Sequence, residues 1–174
     1  MSKTVIRFGL GATEINRAIR EVNKFKQAFR NKVDTYRKRI ANEIAVQASL
    51  NFGNAVVDDV IKGSPRRPDV QVSVSERGDI AVVIADGEDA VWCEFGAGVY
   101  HNGAVGSTPH PSGESLGFTI GSYGKGYGKK QAWGYYDESG ELVITRGTPA
   151  TMPMYNAAQE VMRKSVEIAR EVFG

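Results

Sequence analysis

From residue 15 onward the apolar side chains recur at every third or fourth position: Ile15, Ile19, Val22, Phe25, Phe29, Val33, Tyr36, Ile40, Ile44 and Ala48. This is the spacing of one face of an α-helix. The intervening positions are mostly Arg, Lys, Asn, Gln and Glu, and no proline interrupts them. Thr13 is the expected N-cap, with Glu14 favourable in the first turn. The pattern predicts a helix to Leu50, or on toward Val60 with a break near Asn51-Phe52-Gly53. A helix this long, against a usual length of about 11–12 residues, either lies across a whole domain or projects to a partner. Two phenylalanines on the stripe favour a face packed on a sheet over a persistent coiled coil. Ahead of it, Val5, Ile6 and Phe8 read as a small strand or arm over residues 1–13, broken by Gly9 and Gly11.

The period then changes. Lys62–Pro68 is a loop broken by Gly63, Pro65 and Pro68. Val70, Val72 and Val74 alternate with polar residues, and after a turn at Glu76–Asp79 the run Ile80–Ala85 returns, predicting an antiparallel hairpin. A third strand is expected at Val91–Phe95. Residues 96–132 carry ten glycines with Pro109 and Pro111, which predicts a long mobile excursion, with Phe118–Ile120 as a short strand inside it. Strands are expected again at Trp133–Tyr136 and Leu142–Thr145, across a turn at Asp137–Gly140. A final helix follows from about Met154 to Val172, with Met154, Ala157/Ala158, Val161, Met162, Val166, Ile168/Ala169 and Val172/Phe173 on its apolar stripe. Helices and strands are segregated along the chain. The expectation is therefore a single α+β domain over residues 1–174: a long N-terminal helix and a C-terminal helix packed on an antiparallel β-sheet, with a long Gly-rich loop insertion.

The totals support a globular protein: 174 residues, 41% hydrophobic and 24% charged. No run approaches the roughly 20 apolar residues of a membrane span, and the first residues lack the apolar core of a signal peptide, so a cytoplasmic product, or one released without secretion, is expected. Charge is uneven. Residues 1–50 hold eleven Lys/Arg against four Asp/Glu, net +7, and residues 51–174 hold eleven against sixteen, net −5. A basic front half suits nucleic acid, an acidic protein surface, or a solvated helix face.

Chemistry-bearing motifs are few. Cys93, the only cysteine, lies in an apolar run and reads as a small buried hydrophobe. His101 and His110 have no ligand partner at a metal-binding spacing. Gly121–Lys130 resembles a phosphate loop in composition, but Gly128-Lys129 is followed by Lys130 and no helix opens after it, which is not the Walker pattern. A loop that orders on a partner, or a basic aromatic loop near nucleic acid, is preferred. Asp58/Asp59, Asp86, Glu88/Asp89 and Glu94 offer carboxylates that could come together for a metal-dependent nuclease. Asp58/Asp59 at a helix end, the turn Asp86–Asp89, and Lys62, Arg66 and Arg67 as salt partners favour a solvated surface. No catalytic residue, metal or cofactor is expected. The basic positions Arg17, Arg20, Lys24, Lys26, Arg30, Lys32, Arg37, Lys38 and Arg39 offer an alternative function, nucleic-acid binding.

Three segments in order carry a resemblance: the long charged helix before a Pro-bearing loop; Ala90-Val91-Trp92-Cys93-Glu94-Phe95-Gly96-Ala97-Gly98; and Gly147-Thr148-Pro149-Ala150-Thr151-Met152-Pro153-Met154-Tyr155-Asn156-Ala157-Ala158. They resemble the tail-component or tail-completion proteins of long-tailed phages and prophages, typified by product ten of a lambda-like phage. The resemblance implies a non-enzymatic virion protein at the head–tail junction or neck. It further implies assembly as a ring, sixfold by family, against tail-terminator or tail-tube and head-connector proteins, with DNA in the lumen and no membrane. Physically, Glu94-Phe95-Gly96 is expected to end a strand with Phe95 buried, and Pro153 to open the last helix with Thr151 as its N-cap. Partner contacts are expected, on composition, at Tyr100, Tyr123, Lys125, Tyr127, Lys129, Lys130 and Trp133.

Overall fold

No glycine or proline lies between Ala12 and Phe52, and nothing in that stretch breaks the helix. In the computed structural model, which describes residues 5–6, 9–98, 108–118 and 131–174, helix α1 accordingly runs unbroken over Ala12–Gly53. Its 42 residues span about 63 Å at 1.5 Å per residue. Gly11, not Thr13, is the N-cap: its carbonyl accepts the Ile15 amide at 2.9 Å, while Thr13 is already helical. Glu14 does lie in the first turn.

Two antiparallel sheets follow rather than one. Strands β2 (Gln71–Arg77) and β3 (Ile80–Asp86) form the expected hairpin, in register from Gln71↔Asp86 to Arg77↔Ile80. Gly78 takes the left-handed conformation in its two-residue turn. Strands β1 (Val60–Lys62), β4 (Trp133–Tyr136) and β5 (Leu142–Thr145) form the second sheet in the order β1-β5-β4. At the β4–β5 turn the Asp137 carboxylate accepts from the Ser139 amide and hydroxyl and the Glu141 amide, which hold it below the usual carboxylate range, Ser139 foremost.

The segment expected as a third strand is a helix, α2 (Ala90–Phe95). Strand alternation would bury Val91, Cys93 and Phe95. Instead Asp89, Ala90, Cys93 and Glu94 are buried and Val91 is exposed, which is the helical period. A six-residue apolar run fits either element, and tertiary contacts decide between them. Within the Gly-rich region, the described residues 108–118 form a turn and a short 3-10 segment at Glu114–Leu116. His110 and Phe118 lie against Phe95, with the two phenylalanine rings stacked at 4.0 Å. The expected strand at Phe118–Ile120 falls partly outside the described residues, and Phe118 itself is not in a strand.

Helix α3 (Pro153–Phe173) closes the chain with Pro153 in its first turn. Met152, in the left-handed region, holds the N-cap position that Thr151 was expected to fill. The buried stripe of α3 is Pro153, Ala157, Val161 and Ile168, whereas Met162 and Val166, expected on it, are exposed. The helix lies antiparallel on α1. Asn51 Nδ2 donates to the Pro153 carbonyl at 3.0 Å, Tyr36 to that of Ser165 at 3.3 Å, and Lys32 to that of Phe173 at 3.3 Å. Ala41 and Ala48 are buried on α1 and Ala157 on α3, and small side chains at a crossing let helices approach closely. A second core cluster joins Phe52, Val57, Ala90 and Cys93, with Val70, Val72, Ala85 and Met154 around it, at the C-terminal end of α1.

Because α3 has 21 residues and α1 has 42, α3 covers only half of α1. The hairpin packs on the same half, where Lys38 pairs with Glu76 at 3.0 Å and Arg37 with Asp79 at 3.8 Å. The sheet-packing face expected at Phe25 and Phe29 is therefore absent. Phe25 is 54% exposed and Phe29 49%; the two rings stack on each other at 6.4 Å, and Phe29 also meets the end of α3, at Phe173.

Candidate functional site: a polar clamp and an uncovered helical arm

The segments 90–98 and 147–158, far apart in sequence, meet in the fold. Ala97 donates its amide to the Thr148 carbonyl at 2.8 Å, and the Thr151 and Met152 amides both donate to the Cys93 carbonyl, at 2.9 and 3.1 Å. The Glu94 carboxylate accepts the Met154 amide at 2.8 Å and the Tyr155 amide at 2.9 Å. A helix leaves its first amides without intrahelical partners, and Met152 has no side-chain acceptor to offer them. Glu94 thus caps α3 from another helix, and its negative charge sits at the favourable end of the α3 dipole. His110 Nε2 lies 3.2 Å from Glu94 Oε1, and its ring meets Phe95 and Tyr155.

A second polar cluster lies beside it. Asp89, only 1% exposed, takes both guanidinium amines of Arg66, at 2.5 and 2.6 Å, and the Asp69 amide at 2.9 Å. This bidentate geometry is the strong form of an ion pair, and the Asp89 hydrogen bond raises the Arg66 pKa further. Asp58, with φ of 53°, accepts the Tyr135 hydroxyl at 2.7 Å and lies 3.7 Å from Arg66 Nε. Burial first, and then the bond to Asp58, push the Tyr135 pKa up.

These contacts revise the expectation of a solvated acidic surface. Asp89 and Glu94 are buried, and Asp58 belongs to a loop rather than a helix end. The carboxylates also do not converge: among the described residues no group of three or more His, Cys, Asp or Glu is placed to hold a metal. Helical patterning of 89–94 was the overlooked signal, because at that period Asp89 and Glu94 fall on the buried side with Ala90 and Cys93.

Cys93 is fully buried, and burial, followed by the charge of Asp89, pushes its thiol up to about 12. Aromatic disulfide reagents at pH 8 should label it slowly in the native protein and rapidly once denatured. The unfolded thiol ionises near 8.5, so the native state binds the proton more tightly between there and about 12. Stability from this group is complete below the unfolded value and falls as pH rises through that window. Rapid labelling of the native protein at pH 8 would contradict this placement.

Of the seven expected contact residues, Tyr100, Tyr123, Lys125, Tyr127, Lys129 and Lys130 lie outside the described residues. Trp133 sits on β4, 38% exposed, with its ring laid over the backbone at Gly98 and Gly147. A Cβ at Gly98 would come within 2.0 Å of that ring, and one at Gly147 within 2.2 Å of the Ala97 carbonyl. Both glycines also have positive φ, so this close approach needs glycine.

Among the described residues two surface features lie on α1. A groove of about 430 Å³ between α1 and α3 is lined by Arg39, Glu43, Val46, Glu160, Val161 and Lys164 among others. Its charges are already paired, Arg39 with Glu43 and Lys164 with Glu160. The other is the N-terminal half of α1, whose stripe Ile15, Ile19, Val22, Phe25, Phe29 and Val33 is exposed along its length. Lys26 lies on that face and Arg30 and Lys32 on its two shoulders at 3.6 residues per turn, with Arg17, Arg20 and Lys24 behind. Among the described residues no helix is long and apolar enough to cross a membrane.

Fold and surface together define an α+β protein with an exposed, apolar and basic helical arm. Comparison of the chain with family models, with curated proteins and with solved structures finds no match.

Proposed function

We propose that this chain is a structural assembly protein, without catalytic activity, that works by binding other proteins through its helical arm. The observation that carries the reading is the uncovered apolar stripe from Ile15 to Val33. Monomeric proteins rarely leave so large a contiguous apolar patch in water, and such patches mark interaction sites. On the resemblance of segments 90–98 and 147–158, the particular role is tail completion at the phage head–tail junction, as a ring between tail and head-connector proteins. The polar clamp supports this reading in one respect: the residues carrying the resemblance hold the fold together, as residues shared by a structural family do.

Electron microscopy of lysates from a phage deleted for this gene tests the role. Filled heads separate from finished tails are the expected result. Normal infectious particles would overturn it. The alternative, DNA binding by the basic N-terminal helix, with Arg17, Arg20 and Lys24 on the face opposite the stripe, would then be sought as steeply salt-dependent DNA affinity of the purified protein.

A further inference from the structure

The hairpin β2–β3 is inverted relative to what a half-buried sheet usually does with its largest side chains. Toward α1 it turns Ala81, Val83 and Ala85, with Val72 and Val74 opposite them. Outward it turns Ile80, Val82 and Ile84, of which Ile80 is 62% exposed. Their cross-strand partners are Arg77, Ser75 and Ser73, so the outer face is a short apolar ridge on a small polar strand. The surroundings are acidic: residues 69–89 hold six Asp/Glu and one Arg. Asp89 is consumed internally by Arg66, while Asp86 and Glu88 are exposed at one end of the ridge and Asp79, which also reaches Arg37 at 3.8 Å, is exposed at the other.

The arm has the complementary character. Residues 12–32 hold six Lys/Arg and two Glu around an exposed apolar stripe. Ile15 to Phe29 spans about 21 Å along a helix, and the ridge from Ile80 to Ile84 spans about 13 Å along a strand, so the ridge can cover about two thirds of the stripe, with Asp86 just beyond its end. The arm cannot reach its own hairpin, because α1 is one continuous helix without Gly or Pro before Gly53 and the hairpin packs on its other half.

We propose that the arm of one copy docks its Ile15–Phe29 stripe on the outer face of the β2–β3 hairpin of a second copy. Arm-to-arm pairing is disfavoured, since it would bring two basic segments together, whereas arm-to-hairpin pairing joins opposite charges and two apolar surfaces. The two surfaces differ, so the contact is heterologous: each copy gives an arm to one neighbour and a hairpin to the other. This inference rests on the assembly reading above for its biological meaning and names the interface that reading requires.

The experiment is light scattering on the purified full chain at about 100 µM. Two variants are compared with it: Phe25→Asp, which spoils the arm, and Ile84→Lys, which spoils the hairpin face. Both positions are at the surface, and circular dichroism of each variant should match the parent. The parent should form assemblies larger than a dimer. Each variant alone should be a monomer, its self-association weakened by roughly thirtyfold or more, as for a central interface residue. An equimolar mixture should give dimers and nothing larger, because only the Ile84→Lys arm and the Phe25→Asp hairpin remain intact. A monomeric parent, a hairpin variant that assembles like the parent, or a mixture that stays monomeric each overturns the proposal. None of these results bears on the deletion phenotype: separated heads and tails alongside a monomeric parent would remove this interface and leave the junction role standing.

Discussion

Replacing Arg66 by methionine should lower the unfolding free energy by about 3 kcal/mol, the low end of the cost of breaking a buried ion pair. The cost falls on Asp89, which is 1% exposed and would keep only the Asp69 amide as a partner. It stays at the low end because the Arg66 side chain is 49% exposed, so water can enter where the guanidinium leaves. The reverse change should be milder. Asp89→Asn keeps one oxygen for the Asp69 amide and one amine of Arg66, and only the second amine is left to solvent, so about 1–2 kcal/mol is expected. Urea unfolding of the two variants measures this, and for a chain of this size the arginine change should lower Tm by about 6–12 °C. Equal losses, or a loss below 1 kcal/mol for Arg66→Met, would show that Asp89 does not depend on its partner.

The second largest effect is expected at Glu94. Glu94→Ala removes the acceptor for two amides at the start of α3, and its loss should cost about 2–3 kcal/mol, more than the typical cap of about 1. Glu94→Gln should recover only part of this, because its single oxygen can serve the Met154 and Tyr155 amides poorly while its NH2 faces donors. A global measurement cannot distinguish a lost cap from a repacked core, so hydrogen exchange is the sharper readout. Amides at the start of α3, Met154 to Asn156, should exchange faster in Glu94→Gln, while those near Val166 on the same helix keep their protection. Uniform acceleration along α3 would mean that Glu94 acts on the whole packing and not as a cap.

Both residues were visible in the sequence, but their roles were not. Asp89 and Glu94 stand in a short apolar run that fits a strand or a helix equally well. Read as a strand, the run puts Asp89 in a turn and leaves Glu94 as a strand-end residue. What turns it into helix α2 is the arrival of Thr151, Met152 and the start of α3, more than fifty residues away, whose amides need the Cys93 carbonyl and the Glu94 carboxylate, while the Thr148 carbonyl takes the Ala97 amide. The cap of α3 was misplaced for the same reason: local reading looks for it at Thr151, and the acceptor comes from α2. Arg66 followed the same logic, recognised as a salt partner without any sign that one carboxylate among several was buried.

What the sequence by itself determined is everything governed by short periods. The 42-residue helix, the β2–β3 hairpin with its turn, the β4–β5 pair and the C-terminal helix opening on Pro153 all follow from spacings of 3.6 or 2 and from breakers at their ends. The α+β class follows from their order. Only the tertiary structure decided which stretches of those apolar faces are covered. A stripe repeating from Ile15 to Ala48 is the same signal throughout, yet α3 and the hairpin cover it only from about residue 34 onward. Likewise the alternation in β3 marks two faces without saying which meets α1, and the smaller side chains turned inward. Periodicity records which residues share a face, because that is local geometry. Which face is buried depends on the length and placement of whatever packs on it, and here that partner is too short to cover the arm.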